Sequence, residues 1–134
     1  MPGTVLVLEH EPGCMVFLRT ALTKFGYTVQ EAVSSDEVIR LCSSRSSAVE
    51  LLIMDLSLWV RSGIQTARML KQVWPSLPVL YISGLPLEYW SKEGLYDFRG
   101  TPGCLFLEKP FRAAVLREYV TSLIECGRSA VLSG

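Results

Sequence analysis

The amino-acid sequence predicts an α/β fold, a doubly wound sheet of five parallel strands with helices on both faces. Two observations lead to this prediction. Short apolar runs rich in Val, Ile, Leu, Tyr and Phe recur along the chain, and segments with the period of amphipathic helices lie between them. Since strand and helix alternate five times and crossover connections are right-handed, the strands are expected to be parallel. The 134 residues are enough for one domain.

Five strands are predicted from the apolar runs. Four runs are apolar almost throughout, as strands buried on both faces are, and the second run in the chain alternates, which is typical of an edge strand. The four buried runs are Thr4 to Leu8, Val49 to Met54, Pro78 to Ile82 and Cys104 to Leu107. The alternating run is Tyr27 to Glu31.

The first two helices have recognisable ends. An apolar stripe from Met15 to Phe25 predicts a helix that ends at Gly26. Ser34 and Glu37 have the spacing of a capping box, which marks the start of the second helix.

The later helices are marked by apolar periodicity alone. The third is predicted over Gly63 to Val73, a short fourth near Pro86 to Glu93, and the last after Phe111. We assign residues 1–126 to a single domain and residues 127–134 to a small, polar C-terminal tail that we expect to be a frayed end.

Charge, hydropathy and cysteine usage exclude several classes of protein. Thirteen basic and thirteen acidic residues give zero net charge with no basic block, so direct binding to nucleic acid is not expected. No apolar run approaches the roughly eighteen residues of a membrane span. The first residues do not resemble a secretory signal. A soluble, cytoplasmic protein is therefore expected, and four scattered cysteines without a Cys-x-x-Cys pair are given no chemical role.

Polar side chains follow the predicted buried strands. Glu9 and His10 come after the first, Asp55 after the third, Ser83 after the fourth and Lys109 after the fifth. Ligands of doubly wound folds bind beyond these strand ends, and clustered carboxylates need a cation to be tolerated, which predicts a hard divalent metal. A phosphoryl group on Asp55 would then have Lys109 and Ser83 as partners.

Several sequence motifs from Thr4 to about Glu125 resemble the receiver domain of bacterial two-component signalling. The motifs are VLVLEHEP (Val5 to Pro12), LLIMDL (Leu51 to Leu56), YISG (Tyr81 to Gly84) and LEKPF (Leu107 to Phe111), with Gly63 eight residues after Asp55. The Ser83-Gly84 pair that ends the YISG motif and the CLFLEKPF run look most like those of receivers attached to hybrid histidine kinases. The resemblance implies a flavodoxin-like receiver sandwich, either free-standing or part of a longer protein.

The resemblance also implies a function. A sensor histidine kinase or phosphotransfer protein would donate a phosphoryl group to Asp55, and the domain would accept it without being an enzyme that turns over a substrate. Mg²⁺ would be held at the positions of Glu9, His10 and Asp55 and by the backbone carbonyl of Ser57. Ser83 and Lys109 would contact the phosphoryl group.

The family further implies a switch. Ser83 and Phe106 would respond to phosphorylation and reshape the surface between the fourth helix and the fifth strand. The bond before Pro110 would be cis. Family dimers often form through the fourth and fifth helices, which leaves a weak homodimer open.

Two positions depart from the family pattern. Glu9 and His10 stand where a pair of aspartates is usual, and His10 has the place of the direct metal ligand. Imidazole suits Mg²⁺ poorly, so we expect a lowered affinity unless Glu9 or Glu11 reaches into the site. Trp59 replaces a common proline in the loop that follows Asp55.

Three alternative functions remain at this point. The Glu9-His10 pair motivates a degenerate receiver that acts as a protein-interaction module without being phosphorylated. A flavin-binding domain is disfavoured because Glu9 and Glu11 would repel a phosphate. A phosphatase of the dehalogenase type is disfavoured because the first strand lacks the Asp-x-Asp motif of that class.

Overall fold

A computed structural model describes residues 3–43, 49–56, 69, 72, 74–92 and 103–133. Its strands form a single parallel sheet in the order β2-β1-β3-β4-β5. They are β1 (Thr4–Leu8), β2 (Thr28–Ala32), β3 (Val49–Asp55), β4 (Val79–Ser83) and β5 (Cys104–Glu108). The predicted parallel sheet is confirmed, with the alternating strand β2 at one edge. The chain reverses its direction of winding between β1 and β3, and such switch points are where α/β sheets bind ligands.

Four helices are described: α1 (Pro12–Lys24), α2 (Ser35–Ser43), α3 (Leu87–Lys92) and α4 (Ala113–Ser133). The short fourth helix predicted near Pro86 to Glu93 is α3, which has six residues. The helix predicted over Gly63 to Val73 falls largely outside the described residues.

The hydrophobic core has two layers because side chains alternate between the faces of each strand. On one face, Val5 and Val7 of β1 belong to a cluster that includes Leu18 of α1 and Leu116 of α4. On the other face, alternate residues of the same strand pack with Val38 of α2, and Leu87 of α3 packs against that cluster. Helices therefore cover both faces, as the doubly wound prediction requires.

The local signals at the helix ends take the form that the sequence indicates. Gly26 has a φ of 98° after the end of α1, a left-handed conformation that glycine adopts without steric cost. Ser34 Oγ accepts the backbone N–H of Glu37 at 3.2 Å, and Glu37 Oε1 accepts the N–H of Val33 at 2.9 Å. This reciprocal pair satisfies two backbone donors near the start of α2.

The C-terminal segment differs from the expected frayed tail. Helix α4 continues to Ser133, and Arg128 within it donates to both carboxylate oxygens of Glu50 at 2.5 and 2.7 Å. The prediction failed because the small and polar residues after Gly127 were interpreted by composition, whereas the ion pair to β3 is a tertiary contact that holds the helix end.

A cavity of about 470 Å³ lies at the amino ends of β3 and β4. It is lined mainly by apolar side chains, including Val49, Trp74 and Ile124, and the Glu50–Arg128 pair borders it. It is thus at the opposite end of the sheet from Asp55. Among the described residues, no helix has the length and hydropathy needed to cross a membrane.

Candidate functional site

Four strands deliver the candidate site residues to one edge of the sheet. Asp55 and Ser83 are the last residues of β3 and β4, and Glu9 and Lys109 directly follow β1 and β5. The strand register aligns Asp55 with Ile82, and the backbone N–H of Lys109 donates to the carbonyl of Ser83 at 2.7 Å. The side chains are therefore placed together by the carboxyl ends of β1, β3, β4 and β5, which meet at one edge of the sheet.

Asp55 is fully buried and is contacted by two basic side chains. Its Oδ2 lies 3.1 Å from His10 Nδ1 and 3.4 Å from Lys109 Nζ. The aspartate is buried because it ends an apolar strand, LLIMD, all of whose residues are inaccessible to solvent. An anion in such a place is tolerated only beside positive or hydrogen-bonding partners.

In the turn that follows β1, Glu9 is the residue whose side chain points into the site. It is 1% exposed. Its Oε1 accepts the backbone N–H groups of His10 and Glu11 at 3.1 and 3.0 Å, and its Oε2 lies 3.1 Å from Lys109 Nζ. Burial and the neighbouring Asp55 raise the pKa of the Glu9 carboxyl. Glu11 is exposed, so the question left open by the sequence is resolved in favour of Glu9.

Lys109 joins the two carboxylates. Burial lowers its pKa, but the charges of Asp55 and Glu9 act in the opposite direction, and the pKa is raised overall. The side chain therefore stays an ammonium ion throughout the neutral pH range. The bond from Lys109 to Pro110 is cis, as the resemblance implied.

Ser83 is buried at the end of β4, and its hydroxyl oxygen accepts the N–H of Leu85 at 2.9 Å. This bond organises the turn between β4 and α3. A Cβ built on the following residue, Gly84, would meet no atom of the protein within 4 Å. Phe106 is half-buried on β5, opposite Tyr81 in the register, and it packs against the core cluster that also contacts Leu87 of α3.

The structure brings together Glu9, His10, Asp55 and Lys109, and it places Ser83 on the neighbouring strand end. Three predicted positions, Ser57, Trp59 and Gly63, lie outside the described residues.

The sequence did not predict that Cys14 lies beside the site. It lies in the first turn of α1, where its thiol interacts with Glu9, and burial followed by this carboxylate raises the thiol pKa to about 12. The available signal was its position five residues after Glu9, across a turn that leads straight into a helix.

The donor atoms of the site indicate which metal ions it fits. Glu9, His10 and Asp55 each offer one atom, and these atoms all lie within 4.8 Å of one another. Two carboxylate oxygens and one imidazole nitrogen are a poor match for Mg²⁺, which prefers oxygen donors and retains its water. The acidic cluster is therefore present, but its described donors do not fit Mg²⁺ well.

The strand order and the acidic pocket at the switch point define a flavodoxin-like domain with a receiver-type site. A model of the response regulator receiver domain family matches residues 5–121. The chain belongs to the response regulator receiver domain family of two-component systems.

Curated proteins and solved structures agree with this assignment. The transcriptional regulatory proteins GlrR of Escherichia coli (strain K12) and QseF of Escherichia coli O157:H7 are each 30% identical over 82 residues, 61% of this chain and 18% of each relative. The match thus spans less than a fifth of their length.

Two solved structures show the fold over nearly the whole chain. A response regulator receiver protein from Sinorhizobium medicae WSM419 has a TM-score of 0.78 at 27% identity, covering 94% of this chain and 97% of that one. NtrX from Brucella abortus has a TM-score of 0.81 at 23% identity, covering 99% of this chain and 29% of that one. At this identity the second match supports the fold alone.

Proposed function

We propose that this receiver domain accepts a phosphoryl group on Asp55 from a phosphohistidine of a sensor kinase or phosphotransfer protein. The observation that supports this most is the Lys109 ammonium, which contacts Asp55 and Glu9 at 3.4 and 3.1 Å. A carboxylate oxygen of Asp55 attacks phosphorus, and the bond from phosphorus to the imidazole nitrogen of the donor breaks. Lys109 is placed to stabilise the charge on the transferred group.

The signal would pass through β4 and β5. Ser83 donates its hydroxyl hydrogen to a phosphoryl oxygen, and the movement of the hydroxyl weakens the bond that it accepts from the Leu85 N–H, which loosens the turn before α3. Phe106 then repacks between β5 and α3 and changes the surface that a partner protein binds. Without a phenolic hydroxyl, this switch acts through shape alone.

The exposed apolar face of α1 supports docking of a donor protein. Val16 and Phe17 are 48% and 39% exposed, and the Phe17 ring meets Phe111 edge to face at 5.8 Å. Phe111 lies two residues after Lys109, so this surface adjoins the site. We propose that it contacts the helix that carries the donor histidine.

Direct phosphorylation tests the acceptor. Incubation with acetyl phosphate and a divalent cation should add a single phosphoryl group to the intact mass of the wild type and none to Asp55→Asn. A wild-type mass that stays unchanged with Mg²⁺, Mn²⁺ and Zn²⁺ would contradict the proposal and favour the interaction module.

The docking surface is tested separately. Phe17→Ser should slow transfer from a phosphorylated phosphotransfer protein and leave labelling by acetyl phosphate unchanged, because the small donor needs no docking. Val33→Ser is the matched control, since Val33 is 63% exposed near the start of α2, which packs on the other face of the sheet. Equal transfer rates for both variants would contradict the role of α1.

A further inference from the structure

The donor set that fits Mg²⁺ poorly has the composition of a different metal site. We infer that Glu9, His10 and Asp55 bind a zinc-like divalent ion, with His10 Nδ1 as a direct ligand. The inference concerns the cation of the proposed phosphoacceptor site and in that sense rests on the proposed function, but ion binding itself requires no phosphoryl transfer.

The distances from His10 Nδ1 to the two carboxylates are close to those around a tetrahedral ion. His10 Nδ1 lies 3.1 Å from Asp55 Oδ2 and 3.5 Å from Glu9 Oε1. Zinc bonds to nitrogen and oxygen of about 2.0 to 2.2 Å place the ligands of a tetrahedron about 3.3 to 3.6 Å apart. An ion can therefore enter between these atoms with small rotations of the side chains.

Burial explains why an ion would be held tightly. The side chains of Glu9 and Asp55 are 0% exposed, so neither carboxylate is stabilised by bulk water, whereas the His10 side chain is 28% exposed. An ion enters from the histidine side and binds two dehydrated carboxylates. Three protein ligands leave a fourth position facing solvent, the arrangement of open zinc sites.

The surroundings hold the ligands in place. Glu9 Oε1 is oriented by the backbone N–H groups of the turn, and Glu9 Oε2 by the Lys109 ammonium. Such outer contacts fix carboxylate ligands and are typical of metal sites. Imidazole nitrogen binds Zn²⁺, Cu²⁺ and Ni²⁺ in preference to Mg²⁺, so His10 decides the selectivity.

Titration calorimetry with metal-free protein tests the inference. Wild type should bind a single Zn²⁺ ion, and His10→Gln should bind it about tenfold or more weakly, since one of three ligands is lost. His10→Asp should shift selectivity toward Mg²⁺, because it restores an all-oxygen donor set. Circular dichroism checks that each variant is folded.

Thiols also bind zinc, and Co²⁺ identifies which ligands are used. The Co²⁺ complex should show the visible bands of a tetrahedral site without a sulfur charge-transfer band, and these bands should vanish in His10→Gln. Equal Zn²⁺ affinity in wild type and His10→Gln, or a sulfur band that dominates, would overturn the inference.

The outcome can be separated from that of the proposed function. Zinc binding that depends on His10, together with no phosphorylation under any condition, would contradict only the phosphoacceptor proposal. Phosphorylation of Asp55 together with His10-independent metal binding would contradict only the zinc-like site.

Discussion

Cys14 shows how closely the site is packed at the level of single residues. Its pKa is raised from 9.0 to about 12, first because the thiol is buried and then because Glu9 lies beside it. A raised pKa keeps the thiol protonated, and only the thiolate reacts with alkylating reagents. The thiol is therefore part of the wall of the site and is not a nucleophile at neutral pH.

We expect iodoacetamide at pH 8 to label Cys14 far more slowly than the exposed Cys126 of α4. A pKa of about 12 lowers the thiolate fraction about a thousandfold relative to a pKa of 9.0. Peptide mass spectrometry over a time course measures both residues in the same sample. The rate at Cys14 should rise about tenfold for each pH unit up to pH 10. Equal rates at the two cysteines would contradict the raised pKa.

The sequence predicted which strand ends bring polar side chains together but not the orientation of the turn after β1. Asp55, Ser83 and Lys109 could be predicted because each follows an apolar run whose direction is fixed by the sheet. Whether Glu9 or Glu11 points inward depends on the backbone of a short turn. Two backbone N–H groups donate to Glu9 Oε1 and fix the conformation of that turn. Nothing in the order of residues reports those bonds.

At the level of secondary structure, the strands were predicted more accurately than the end of the last helix. Runs such as Thr4 to Leu8 are buried on both faces, so their apolar composition follows directly from their buried environment. The end of α4 is instead held by a charged pair between Arg128 and Glu50, residues that are far apart in sequence. Local patterns carry no information about such a contact.

Gly127 allows the end of α4 to approach the chain before β4. A Cβ built on it would lie 3.2 Å from Pro78 Cδ and 3.3 Å from the carbonyl oxygen of Ser76. Alanine in a helix interior is otherwise favoured over glycine by about 1 kcal/mol. We expect Gly127→Ala to forfeit this gain and to leave stability unchanged or lowered by about 1 kcal/mol.

Gly13 of α1 is the matched control, because a Cβ built on it would lie 3.9 Å from its nearest neighbour, Glu11 Oε1. Gly13→Ala should stabilise the domain by about 0.5 kcal/mol, since the helix propensity gain meets no clash. Urea denaturation of both variants provides the comparison. A stabilisation by Gly127→Ala as large as that by Gly13→Ala would show that Pro78 shifts to accommodate the added Cβ without a loss of stability.

The ion pair between Arg128 and Glu50 predicts a pH-dependent contribution from α4. The Arg128 side chain is 40% exposed, so Arg128→Met should lower the free energy of unfolding by only about 0.5 to 1 kcal/mol at pH 7. Arg128 lowers the pKa of Glu50 below 4.5. Because the folded-state pKa is depressed, this stabilisation is present above pH 4.5 and is lost as the pH falls through the lowered pKa.

Denaturation of wild type and Arg128→Met at several pH values tests this assignment. The two curves should converge in acid, and Arg128→Met should cost little in a Glu50→Gln background. A loss that is the same at acid and neutral pH would indicate that the aliphatic stem of Arg128 stabilises the helix through packing.

At the scale of the whole molecule, the two ends of the sheet contribute differently to stability. The amino end is held by apolar packing and the Arg128–Glu50 pair, whereas the carboxyl end buries Glu9 and Asp55 side by side. Burial, and after it the neighbouring Asp55, raises the pKa of the Glu9 carboxyl, so the charged form of Glu9 is destabilised at this end of the sheet. Functional sites often reduce stability in this way, because their groups are arranged for chemistry and not for folding.

Asp55→Asn should therefore stabilise the metal-free domain while removing its proposed acceptor. The change eliminates one buried charge and leaves Lys109 paired with Glu9, so we expect a gain of roughly 1 kcal/mol, equivalent to about 3 to 6 °C in the melting temperature for a domain of this size. Thermal denaturation in the presence of EDTA measures it, and the exposed Glu118→Gln is the control for removing a surface carboxylate. A lower melting temperature for Asp55→Asn would mean that the contacts of Asp55 with His10 and Lys109 outweigh its burial. The carboxyl end of the sheet would then stabilise the fold even without a bound cation.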